Sequence, residues 1–292
     1  VTGAASTPFV PDGKTRPYAV IGHPIGHTLS PAMHNAAFRA LGRNAVYLAL
    51  DIVPERVMEC LHAMAAMGFG GVNVTVPHKE TVFRGLERLE AGARRVGAVN
   101  TVQFAPEGLV GHSTDGEGFL RAMQEAFGRD PAGLAVFVLG AGGAGRTLAL
   151  ECACAGAASV TVSDVDVARA ERLAAEIVRT APGVRAVSVE APDAARAAAA
   201  CGLVVQATPV GMRTGDLAPL PPEAFGPGAL AFDLVYGVPE TPFMRAAAAA
   251  GARVSNGLGM LLHQGARSFE IWTGFAPPVD AMRAALEKAV YG

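Results

Sequence analysis

Residues 134–145 read LAVFVLGAGGAG, and no other stretch narrows the possible folds as far. An apolar run without alternation is the pattern of a strand covered on both faces. It ends in a glycine-rich turn that fits G-x-G-x-x-G at Gly140, Gly142 and Gly145, and a helical pattern follows to about Gly156. The next strand pattern, SVTVSD, ends in Asp164, 24 positions after Gly140. Strand, glycine turn, helix, strand and acid in that order predict a βαβ unit whose helix starts over the turn. Such a turn lets the backbone approach a pyrophosphate, and the positive end of the helix faces it.

Gly140, Ala141, Gly142, Gly143, Ala144 and Gly145 are therefore candidate dinucleotide contacts. A glycine-rich packing turn without a ligand is the competing reading, and the acid at the end of the second strand argues against it. Asp164 suits the ribose hydroxyls of NAD and would repel the 2′-phosphate of NADP, which needs an arginine nearby. No arginine follows at once, and Arg169 lies several residues on, inside the next helix. NAD is the expected cofactor and NADP the less favoured one. Of the two nearby acids, Asp166 is better placed to cap that helix.

The alternation recurs on both sides of this unit. Strand patterns at 18–22, 45–52 and 71–76 alternate with helical ones at 31–41, 54–67 and 78–84. Shorter strands follow in AVNTVQF and GLVGHSTD, and this half is expected to form a largely parallel sheet. After a helix at 116–127 a second alternating series runs to ARVSN, and two helices close the chain.

With 292 residues, half of them hydrophobic, two ordinary domains can each bury a core. A net charge of −2 offers no basic face, so nucleic acid is not an expected partner. No apolar run reaches the roughly 18 residues of a membrane span. The opening VTGAASTPFVPDGKTR lacks a charged-then-apolar signal pattern and reads as a flexible leader. Cys60, Cys152, Cys154 and Cys201 form no C-x-x-C, so buried, reduced thiols of a cytoplasmic protein are expected rather than disulfides or a metal site. His23 and His27 are close in sequence, but no ligand cluster surrounds them, and no metal is expected.

The stretch GVNVTVPHK, residues 71–79, poses a chemical question. It alternates apolar and polar residues, puts Asn73 and Thr75 on one face, and delivers Lys79 just past its end. A strand that only fills a core needs no such pair. An exposed lysine is the ordinary case, but Asp115 in STDGEGF offers a partner that could hold an ammonium and tune its proton transfer. In HTLSPAMHN, Ser30 before Pro31 reads equally as a helix N-cap or a ligand contact, beside Thr28. His34 is expected to pack or hydrogen-bond at a helix surface.

With these residues assembled, the chain resembles the shikimate dehydrogenase family over nearly its full length. The resemblance is carried by GHPIGHTLSPAMHN, GVNVTVPHK, GAVNTV, STDGEGF, VLGAGGAGR, ATPVGM, FDLVYGVPETP and NGLGMLLHQGARSFEIWTG. It implies reversible reduction of 3-dehydroshikimate to shikimate in aromatic amino acid synthesis. A close branch also oxidises quinate, often with NAD. The family's Lys–Asp pair corresponds to Lys79 and Asp115, and its substrate contacts to Thr28, Ser30, Asn73, Thr75, Asn100, Tyr236 and Gln264. Thr208, Met212, Gly257 and Met260 match residues on the nicotinamide side. The implied fold is α/β with two domains. Residues 1–114 form a substrate domain completed by 256–292, residues 115–255 a Rossmann-like domain, and the site lies in the cleft between them. Monomer and homodimer are both compatible with the resemblance.

Four departures stand out. Thr28, Ser113 and Gln206 replace the usual Ser, Asn and Asn. Asp164, Val165 and Asp166 stand where NADP-using members carry Asn-Arg-Thr. A catabolic, NAD-dependent quinate/shikimate dehydrogenase is the alternative within the class. A nucleotide-binding regulatory protein without catalysis is the alternative outside it, and the presence of both Lys79 and Asp115 argues against it.

Overall fold

The computed structural model describes residues 10–213 and 215–292, so most of the leader expected at the start lies outside the described residues. Two six-stranded sheets organise the chain. The first collects β1 (Arg16–Gly22), β2 (Ala45–Asp51), β3 (Gly71–Val74), β4 (Arg88–Leu89), β5 (Thr101–Ala105) and β6 (Gly108–His112). Between these strands lie α1 (Ser30–Ala40), α2 (Val57–Ala66), α3 (Lys79–Gly85) and α4 (Ala91–Val96). A long helix, α5 (Asp115–Phe127), leads to the second sheet. That sheet contains β7 (Ala135–Leu139), β8 (Ser159–Ser163), β9 (Arg185–Ser188), β10 (Leu203–Gln206), β11 (Leu230–Asp233) and β12 (Arg253–Ser255). Its helices are α6 (Gly143–Cys154), α7 (Val167–Thr180), α8 (Ala194–Ala199) and α9 (Pro242–Ala249), and α10 (Leu258–Thr273) and α11 (Val279–Tyr291) end the chain.

The second sheet is parallel throughout, in the order β12-β11-β10-β7-β8-β9. Numbered from β7, this is the doubly wound 3-2-1-4-5-6 order, which opens a crevice beyond the strand ends where the order reverses. That reversal lies between β7 and β10. Val136, Phe137 and Val138 are completely buried, as a strand covered on both faces requires. Asp166 caps α7 by accepting from the Arg169 N–H at 3.1 Å.

The first sheet is largely parallel, as expected, with one reversed strand. Its order is β2-β1-β3-β5-β6-β4, and β5 runs antiparallel to both β3 and β6. The cause is local. Only Pro106 and Glu107 separate β5 from β6, and two residues can close a hairpin but not a parallel crossover. The charged stretch around β4 and α4 has no apolar period, and the sequence reading assigned it no element.

The last two helices return to the first sheet. Met33, Phe38, Phe269, Trp272, Met282 and Leu286 share one core that joins α1, α10 and α11. Along the way α10 lies against α5, and Gly118 allows the close approach: a Cβ there would stand 2.7 Å from the Gln264 amide nitrogen. Of the two roles expected for His34, packing and hydrogen bonding, it takes the first. It is fully buried, stacked 4.3 Å from the Tyr47 ring, and burial pushes its pKa down to about 3. All four cysteines are free, but Cys154 is exposed, contrary to the expectation of buried thiols. No helix among the described residues is long and apolar enough to cross a membrane.

Candidate active site

The carboxyl ends of β1 and β3 and the first turns of α3 and α5 converge on a cavity of about 360 Å³ between the two sheets. Lys79 opens α3 and Asp115 opens α5, although 36 residues separate them. The Lys79 Nζ donates to Asp115 Oδ2 at 2.6 Å, and both side chains retain some exposure, 24% and 13%. The start of a helix suits a carboxylate, because its backbone N–H groups face it. Asn100 holds the other oxygen, donating to Asp115 Oδ1 at 2.9 Å. The ammonium is thus fixed at the cavity wall with hydrogens left to offer. A group held so can give a proton to a ligand oxygen or take one back.

All nine residues singled out for catalysis and substrate binding line this one cavity: Lys79, Asp115, Thr28, Ser30, Asn73, Thr75, Asn100, Tyr236 and Gln264. Ser30 is not the N-cap of α1. It lies inside the helix, Leu29 holds the cap position, and no side-chain cap bond forms. The Ser30 hydroxyl instead meets that of Thr28 at 3.3 Å. Burial raises the pKa of the Tyr236 phenol, so it stays a neutral donor.

Asn73 is more engaged than its place on the strand suggested. Its Oδ1 accepts from the buried Tyr47 hydroxyl at 2.6 Å, and its Nδ2 faces the Asn100 carbonyl, Thr101 Oγ1 and Ser268 Oγ at 3.0–3.1 Å. Asn100 in turn accepts from the Thr114 N–H at 2.8 Å. A polar seam therefore runs from Tyr47 through the sheet to α10. Sequence reasoning missed Tyr47, Thr101, Thr114 and Ser268. Ser268 was detectable, since it sits four residues after Gln264 on the same helix face.

On the other wall, Met212, Gly257, Met260 and Ala144 line the cavity. Thr208 does not. It packs against the turn, where a Cβ on Gly140 would lie 3.0 Å from its Cγ2. Gly140 has φ +101° and Gly145 lies so close to the Gly140 carbonyl that no side chain fits, as the strand–turn–helix pattern demands. The helix α6 has no side-chain cap, which leaves its first-turn N–H groups for an anion. Asp164 stands at the end of β8, away from the cavity. Its Oδ2 accepts from the Ala141 N–H at 2.7 Å, and its Oδ1 accepts from the Asp166 N–H at 2.8 Å. Arg169 lies against both acids, 3.6 Å from Asp164 and 3.3 Å from Asp166.

A doubly wound sheet with a glycine turn, facing a cavity that holds a Lys–Asp pair, is the layout of a two-domain dehydrogenase. Comparison with known proteins narrows this. Residues 20–102 match the shikimate dehydrogenase substrate binding domain, and residues 257–287 match the shikimate 5′-dehydrogenase C-terminal domain. A shikimate dehydrogenase (NADP(+)) of Methanopyrus kandleri is 43% identical over 278 residues, 94% of this chain and 96% of that protein. Among solved structures, a Listeria monocytogenes shikimate 5-dehydrogenase in complex with shikimate and NAD is similar, with a TM-score of 0.89. It is 34% identical, over 96% of this chain and 99% of that one. A Corynebacterium glutamicum quinate dehydrogenase in complex with NAD follows at a TM-score of 0.87, 32% identical, over 94% and 99%. The chain belongs to the shikimate dehydrogenase family.

Proposed function

We propose that the protein is a shikimate dehydrogenase that interconverts shikimate and 3-dehydroshikimate with a nicotinamide dinucleotide, and that it prefers NAD to NADP. The observation that carries the catalytic part is the 2.6 Å ion pair of Lys79 and Asp115 inside a cavity lined from both sheets. In this reading the cofactor supplies or accepts the hydride at its nicotinamide ring. Lys79 protonates the oxygen as the ketone is reduced, and in the other direction it removes the hydroxyl proton. Asp115 binds a neighbouring hydroxyl and orients the ammonium. Thr28 and Ser30 meet the substrate carboxylate with hydroxyls, and Thr75, Asn100, Tyr236 and Gln264 hold the ring. Asn73 contributes mainly by fixing its neighbours. The substrate domain would comprise residues 1–114 with 256–292, and the cofactor domain residues 115–255.

The cofactor preference rests on charge. By the family resemblance, Asp164 and Asp166 take the places that would face a 2′-phosphate, with the exposed Val165 between them. The nearby cation, Arg169, already faces both carboxylates. A dianionic phosphate there meets two negative groups and one shared positive one. The M. kandleri relative is named for NADP(+), so on this reading the two proteins differ in cofactor. Initial rates on shikimate and quinate with NAD⁺ and NADP⁺, in all four combinations, test both parts. We expect shikimate with NAD⁺ to give the highest kcat/KM. A higher value with NADP⁺ would overturn the preference, and a higher value with quinate would favour the quinate/shikimate alternative that the C. glutamicum neighbour illustrates.

A further inference from the structure

The second sheet carries a buried polar cluster that the proposed chemistry does not use. Gln206 and Asp233 are the last residues of β10 and β11 and lie side by side in register. Both are fully buried, as is Thr241, and none of the three lines the cavity. The Gln206 Oε1 accepts from the Thr208 N–H at 2.5 Å, while its Nε2 donates to the Val210 carbonyl at 2.8 Å and to Asp233 Oδ1 at 3.3 Å. Asp233 Oδ1 also accepts from the Val235 N–H at 3.0 Å, and its Oδ2 accepts from the Thr241 hydroxyl at 2.5 Å. Thr241 then caps α9 by accepting from the Met244 N–H at 3.1 Å. One buried cluster therefore ties together two loops, residues 207–212 and 234–241. Those loops deliver Met212, Leu234 and Tyr236 to the cavity.

A buried carboxylate and carboxamide cost desolvation that an apolar pair of similar size would avoid. Their return here is geometric. A glutamine is one methylene longer than the asparagine expected at this position, and it reaches the Thr208 N–H, the Val210 carbonyl and the neighbouring strand at once. An asparagine side chain typically serves only the N–H two residues on. We propose that Gln206 is a positioning residue for hydride transfer: with Asp233 and Thr241 it sets the two loops against the nicotinamide ring. This rests on the proposed function and on the family resemblance that assigns Met212 to the nicotinamide side. Hydride transfer is steeply sensitive to the donor–acceptor distance, and a misplacement of about 1 Å can cost a hundredfold in rate.

The test compares the wild type with Gln206→Leu, which keeps the volume and loses the hydrogen bonds, and Gln206→Asn, which keeps a shorter amide. Steady-state rates would be measured with shikimate and with shikimate deuterated at the oxidised carbon, and shikimate affinity by equilibrium titration. In Gln206→Leu we expect kcat to fall about tenfold and the isotope effect to rise, with shikimate affinity within about twofold of wild type. Gln206→Asn should recover part of the rate. A folded Gln206→Leu with unchanged kcat and isotope effect overturns the inference. So does a loss of rate that merely follows the loss of folded protein while the isotope effect stays constant. Should Gln206→Leu not fold, Thr241→Val against Thr241→Ser decides by the same readouts, with rescue expected only where the hydroxyl returns. A wild type that oxidises shikimate with neither dinucleotide fails the function itself, whereas an active wild type beside an indifferent Gln206→Leu fails the inference alone.

Discussion

The two sheets meet at one cavity but supply it differently. In the first sheet the polar atoms run through the interior, from Tyr47 and Asn73 on the strands to Asn100 and Thr101 at the start of β5 and Ser268 on α10. In the second sheet the central strands are apolar until their last position, where Gln206 and Asp233 appear. The first sheet offers a ligand side chains of fixed direction. The second offers it turns, with backbone N–H groups and a few loop residues. The division suits what each is proposed to bind. A hydroxylated ring needs many directed donors and acceptors, and a pyrophosphate needs a helix start and room. Substitutions in the first sheet should therefore damage chemistry or specificity. Those in the second should damage folding, pH response, dinucleotide affinity or, at Gln206, the placing of the nicotinamide ring.

The largest effect should come from Lys79. On the proposed reading, Lys79→Ala removes the proton donor, and kcat should fall on the order of a thousandfold with shikimate affinity changed only a few-fold. Titration calorimetry beside steady-state rates would check this, and turnover near the wild-type level would remove Lys79 from the mechanism. Next in size is a pH effect in the second sheet. Burial raises the pKa of Asp233 to about 6. The native state then holds this proton more tightly than the unfolded chain does. The contribution to stability is full below the ordinary carboxylate value near 4 and is lost as the pH rises through about 6. The change is about 3 kcal/mol. Asp233→Asn carries no such proton, so relative to it the wild type should lose stability between pH 4 and 6. Urea melts at both pH values would show parallel behaviour if Asp233 keeps an ordinary pKa.

The same contrast decides what was legible in the sequence. The second sheet could be read almost strand by strand, because its central strands are short apolar runs bounded by glycine or a turn, and the glycine fingerprint fixes the connection at β7. The direction of β5 was not legible: a two-residue hairpin around Pro106 overrides the alternation that suggested a parallel sheet. For the site, Lys79 and Asp115 stand out by residue type, but nothing in their 36-residue separation says that they touch. Tyr47, Thr101 and Ser268 were missed because a hydroxyl inside a strand or helix looks like filler until its partner is known. His34 was left between two roles for the opposite reason. A histidine suggests hydrogen bonds, and here the imidazole serves as an aromatic plate against Tyr47.

The smallest expected effects sharpen the comparison most, because they separate folding from binding within one turn. A Cβ at Gly145 would overlap the Gly140 carbonyl oxygen, and neither backbone can retreat without opening the contact between strand and helix. Gly145→Ala should cost about 1–3 kcal/mol of stability, the usual range for overpacking. At Gly143, two residues earlier, a Cβ would meet nothing within 4 Å. This position opens α6, and alanine there restricts the unfolded chain, so Gly143→Ala should leave the melting temperature unchanged or raise it by a gain below about 1 kcal/mol. Its cost should appear only when a dinucleotide is present, as weaker binding, because the added methyl stands on the uncapped first turn of α6, whose N–H groups would meet the pyrophosphate. Thermal melts with and without NAD⁺ read both effects in one experiment. Equal affinity for NAD⁺ in Gly143→Ala and wild type would mean that the dinucleotide does not approach this turn, and the division of labour between the two sheets would have to be redrawn.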